Sequence, residues 1–97
     1  MDRATLVKRS LKRLKEQYAF IVQDIAWDEA FIEEKTQQLP YLGITKQQVE
    51  QQVAERMERV SNLRSTLQMI ELTQELLLAE QERLKKEGTK KPVGGGH

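Results

Sequence analysis

Between Asp2 and Gln38 the chain has neither glycine nor proline, and its apolar residues Val7, Leu11, Leu14, Tyr18, Ile21, Ile25 and Ile32 step by four and three. That spacing keeps one side chain per turn on a single face, so it predicts one long helix with a heptad seam. Asp28 stands in the one slot of the seam where an apolar residue is missing. A second uninterrupted stretch runs from about Thr45 to Glu87, with Val53, Val60, Leu63, Leu67, Ile70, Leu77 and Leu84 on a similar seam and Gln74 and Gln81 as polar interruptions. As a helix it would reach on the order of 60 Å at 1.5 Å per residue. Ser61, Asn62, Ser65 and Thr66 are weak helix formers at its middle. A break near Asn62, giving a compact three-helix fold, is therefore the competing expectation.

The two stretches meet at "QQLPYLGITKQQ". Leu39 precedes a proline and should leave the α region, Gly43 supplies a permissive hinge, and Thr45 suits an N-cap with Val49 opening the next seam. A helix stop followed at once by a helix start favours an antiparallel hairpin. The reading is an all-α, coiled-coil-like hairpin in a domain spanning 1–88, with a helix over about 3–38, a turn at 39–44 and a helix over about 45–87. Gly88 reads as the stop of the second helix, followed by a flexible C-terminal tail over 89–97 whose closing Gly-Gly-Gly-His has the look of an expression-tag remnant.

Charge gives a separate check on the hairpin. In a chain turning near residue 42, positions whose numbers sum to about 83 lie side by side, so Arg3, Lys8 and Lys12 face Glu80, Glu75 and Glu71, while Asp24 and Asp28 face Arg59 and Arg56. Opposite signs meet almost throughout. Exposed pairs contribute only a few tenths of a kcal/mol each, so the ladder speaks to register more than to stability.

One seam per helix does not use up the apolar residues. All five aromatics fall between Tyr18 and Tyr41, and Phe20, Trp27 and Phe31 cluster roughly 140° from the seam on a helical wheel. On the second helix Met69, Leu72, Leu76 and Ala79 form a stripe away from Leu63, Leu67 and Ile70. A lone hairpin buries one face per helix, so these second faces predict self-association or a partner helix. Phe20, Trp27, Phe31, Met69, Leu72 and Leu76 are the candidate partner-binding residues. Two hairpins laid antiparallel would set the aromatic stripe of each against the Met-Leu stripe of the other, a homodimer completed as a four-helix bundle.

The chemistry is sparse. There are 97 residues, no cysteine, one histidine at the very end, and 16 basic against 15 acidic side chains. No disulfide framework, thiolate site or Gly-rich phosphate loop can be built from this, and the i, i+4 carboxylates Asp24/Asp28 and Glu29/Glu33 lack the histidines of a di-iron bundle. We expect no catalytic residues, no cofactor and no metal; no apolar run reaches the roughly 20 residues that span a bilayer, and a cytoplasmic address is the default. Residues 1–15 carry +5 and residues 16–34 carry −6, a polarity that opposes the helix dipole. Hairpin pairing accounts for much of it. The rest makes Lys8, Arg9, Lys12, Arg13, Lys85 and Lys86 a candidate anion-binding end, with nucleic acid as a partner that is allowed but not favoured.

The functional expectation is a non-enzymatic helical interaction protein: an adaptor, assembly factor or regulatory subunit with a protein partner. The alternatives are a nucleic-acid-binding regulator that uses the basic end, and a small chaperone or co-chaperone that covers a partner's helix.

Overall fold

The computed structural model describes residues 2–95, with side chains described for 2–88. Helix α1 (Arg3–Gln38) is followed by two 3-10 turns, Leu39–Tyr41 and Gly43–Thr45, and then by helix α2 (Lys46–Gly95). Among the described residues there is no strand, and the fold is the antiparallel helical hairpin that the spacing predicts.

Asp2 starts α1. Its carboxylate accepts a hydrogen bond from the Thr5 N–H at 2.7 Å, and its carbonyl accepts the Leu6 N–H at 3.1 Å, which satisfies donors that a helix start leaves without partners. The Thr5 N–H also holds the Asp2 carboxyl below the usual carboxylate range. At the far end Pro40 sits in the first position or two of a 3-10 turn, where its missing N–H does no harm, and the Leu42 N–H closes that turn on the Leu39 carbonyl at 3.3 Å. Gly43 then takes φ +55°, the left-handed conformation that a side chain resists, so the hinge read from its identity is a real backbone requirement. The Thr45 hydroxyl differs from the expected N-cap: it donates backward to the Leu42 carbonyl at 2.9 Å and ties the second turn shut.

Helix α2 does not break near Asn62, which removes the three-helix alternative. The hydroxyls of Ser65 and Thr66 donate to the carbonyls of Ser61 and Asn62 four residues back, so these weak helix formers satisfy their own polar groups inside the helix. Gly88 does not stop α2 either, since the helix is carried to Gly95. A glycine ends a helix by entering the left-handed region, and Gly88 stays out of it. Of the flexible tail expected over 89–97, residues 89–95 continue α2, and residues 96 and 97 lie outside the described residues.

Packing divides the hairpin into two compact units. In the turn unit, Tyr18–Gln68, Ile25, Val53 and Val60 are buried, flanked by half-buried Tyr18, Ile21, Ile32, Leu63 and Leu67. In the terminal unit, residues up to Gln17 with those from Met69 onward, Val7 and Ile70 are buried and Leu11, Leu14, Leu77 and Leu84 half-buried. These are the predicted seam residues. Gln74 and Gln81 are half-buried on the same line, with polar side chains in seam slots as expected. Among the described residues no helix is long and apolar enough to cross a membrane.

Candidate partner-binding faces

The hairpin register is fixed in the turn unit by one buried acid. Asp28 is 2% exposed, and its Oδ1 accepts a hydrogen bond from Arg56 Nη1 at 2.8 Å. Arg59 brings its Nε to 3.3 Å of Asp28 Oδ2 and its Nη2 to 3.8 Å of Asp24. The Nε contact is close enough for charge attraction but too poorly aligned to count as a hydrogen bond, so Oδ2 is a buried acceptor with no hydrogen-bond partner. Arg56, like Asp28, occupies a seam position, three residues past Val53 and four before Val60. Two polar gaps in two heptad patterns thus face each other and fill one layer with an ion pair. The sequence signal was there: both gaps fall where the charge ladder pairs opposite signs.

In the terminal unit Arg3 meets Glu80 at 2.6 Å, as the ladder predicts. Arg83 also binds Glu80 and reaches Glu87 one turn on. The Arg83 hydrogen bond first, and Arg3 after it, hold the Glu80 carboxyl below its ordinary range.

The candidate partner-binding residues separate into three environments. Phe20 and Trp27, 71% and 69% exposed, stand one heptad apart on the outward side of α1 in the turn unit. Between and beside them Ala19, Gln23, Ala26 and Ala30 are also exposed, and Gln23, Ala26, Trp27 and Ala30 line a shallow groove. Phe31 behaves differently: it is half-buried, with the Arg56 guanidinium 4.4 Å from its ring centre and the Lys35 ammonium at 5.7 Å. Its ring thus serves the hairpin, covering the arginine that neutralises Asp28. In the terminal unit Met69, Leu72 and Leu76 are all exposed on the outer side of α2, with Ala79 continuing their heptad spacing.

The candidate anion-binding residues Lys8, Arg9, Lys12, Arg13, Lys85 and Lys86 are exposed in the terminal unit. Lys8 and Lys85 are brought together across the helices in a groove with Ala4, Gln81 and Leu84. Lys8, Arg9, Lys12 and Lys15 line another on α1 alone. Leu6, Val22, Met57 and Leu78 are exposed singly off the faces that periodicity picks out, and at the turn Tyr41 and Ile44 are more exposed still, at 86% and 99%. Their burial depends on what the turn packs against, and helical periodicity does not reach that far. Among the described residues no three His, Cys, Asp or Glu side chains gather as metal ligands would.

No family model, curated protein or solved structure matches the chain.

Proposed function

We propose that this chain is a non-enzymatic helical interaction protein, an adaptor, assembly factor or regulatory subunit, that works in the cytoplasm by presenting outward helix faces to a protein partner. The observation that supports this reading is the exposure of Phe20 and Trp27, two large aromatics that the hairpin seam leaves in water one heptad apart. An exposed indole or phenyl ring contributes nothing to the hairpin, while aromatic side chains dominate binding where they are buried at interfaces. The Met69, Leu72 and Leu76 stripe adds a second such face.

The test is capture from native extract with the full chain immobilised, comparing wild type with Phe20→Ser/Trp27→Ser and with Met69→Ser/Leu72→Ser/Leu76→Ser. Both variants should keep their helix content by circular dichroism, because neither set lies in the seam. At least one should lose a protein that the wild type retains. If both variants hold everything that wild type holds, the outward faces are not the functional surface and the proposal fails.

A further inference from the structure

We infer that the outward face of α1 pairs antiparallel with the same face of a second copy of this chain, about a two-fold axis at Gln23. The inference deepens the interaction reading above and rests on it. Its ground is the order of residues in two neighbouring heptad columns on that face. One column reads Arg13, Phe20, Trp27, Glu34; the other reads Lys12, Ala19, Ala26, Glu33; all eight side chains are exposed. Each column runs from basic through two apolar positions to acidic. Reversed and laid on itself, the first sets Phe20 beside the partner's Trp27 and Arg13 beside the partner's Glu34. The second sets Ala19 on the partner's Ala26 and Lys12 on the partner's Glu33. The first reversal centres half a residue after Gln23 and the second half a residue before it, so Gln23, exposed midway between the columns, lies between the two centres. An isologous contact demands this kind of self-complementarity.

The physical parts of such a contact are all present. Alanines on one side let the helix backbones approach closely, while the aromatic rings on the other fill the space between copies and stack in pairs. Charges at either end favour the antiparallel orientation and penalise the parallel one, in which Arg13 would meet Arg13 and Glu34 would meet Glu34. Gln23 on the axis can hydrogen-bond to its own copy, a single polar layer of the kind that fixes register in helical assemblies. The Met69, Leu72 and Leu76 stripe stays outside this contact, on the other helix.

The chain has no cysteine and one tryptophan, which makes the test direct. Wild type should sediment as a dimer at micromolar concentration, and the Trp27 emission should shift to the blue as concentration rises. Under mild oxidation Gln23→Cys should cross-link to itself, whereas Leu72→Cys should not. Arg13→Glu and Glu34→Arg should each weaken the dimer roughly fivefold to tenfold, since symmetry counts each pair twice, and the two changes combined in one chain should restore it. Trp27→Ala, removing two interface indoles, should weaken it at least about 100-fold. A dimer that cross-links through Leu72→Cys and not through Gln23→Cys would overturn the α1 pairing while leaving the interaction reading intact. A wild type that stays monomeric, with unshifted Trp27 emission up to about 100 μM, would also overturn it; capture that still depends on Phe20 and Trp27 would then point to a different protein on the same face.

Discussion

Asp28 shows how a single residue sets the alignment of two helices. A buried carboxylate costs several kcal/mol to desolvate, and here Arg56 and Arg59 offset that cost only when the helices sit in the native register. Changing Arg56 to Met removes the hydrogen-bonded partner and leaves Asp28 with the poorly aligned Arg59. Because Arg56 is itself partly exposed, the loss should fall near the lower end of the roughly 3–5 kcal/mol seen when buried pairs are broken, read from urea unfolding. Replacing the pair together, Asp28→Leu with Arg56→Leu, should instead raise the melting temperature, because an apolar layer needs no compensation. Two carboxylates nearer the surface act on another axis. Asp2 and Glu80 are held below their ordinary range in the folded chain, so their contribution is complete above the unfolded-state values and is lost as pH falls through the depressed ones. Helix content should therefore hold from neutral pH to about pH 5 and decline in stronger acid, and Asp2→Asn/Glu80→Gln should shrink that decline.

At the scale of the helices, the seam was legible because a 3.5-residue repeat sustained over many turns suits a packed helix face and little else. The register was legible because charges on two antiparallel helices must match in reverse order, and Arg3 with Glu80 and Asp24 with Arg59 do so. Some features were hidden. Whether Ser65 and Thr66 bend a helix depends on where their hydroxyls point, and Gly88 caps a helix only through a dihedral angle that its identity does not dictate. Phe31 shares the wheel sector of Phe20, but a helical wheel drawn for one helix cannot show that Arg56 of the other helix reaches over the ring. Spin labels at positions 12 and 71, both in the terminal unit, check the register independently of any ion pair. They should report a separation within about 20 Å, consistent with helix axes 8–10 Å apart plus the label arms; a value beyond about 40 Å at high dilution would reject the hairpin.

For the whole molecule, a net charge of +1 gives no general pull toward polyanions, so any nucleic-acid affinity must come from the terminal unit. There the glutamates Glu80 and Glu87 sit among the bases, bound by Arg3 and Arg83. Binding to duplex or single strands at physiological salt should therefore be weaker than micromolar, and fluorescence anisotropy across a salt series measures it. Micromolar affinity that falls steeply with salt and disappears in Arg9→Glu/Lys12→Glu/Arg13→Glu would move a nucleic-acid role ahead of the adaptor reading. The exposed faces were anticipated as faces, because each helix carried more apolar residues than one seam could hold. What the faces touch was not, since a single chain's pattern specifies what it leaves uncovered and not what comes to cover it.

The turn has a consequence for chain integrity. Tyr41 is highly exposed in a short non-α segment, whereas Tyr18, Phe20, Trp27 and Phe31 all lie inside α1, where the backbone cannot easily enter a protease cleft. Brief exposure to chymotrypsin should cut first after Tyr41 and yield two peptides by mass spectrometry under denaturing conditions. Under native conditions they should migrate as one species, because the seam and its ion pairs, rather than the peptide link, hold the helices together. The hairpin would then behave as a two-component helix pair, and either half could be exchanged for a labelled or altered version without rebuilding the other.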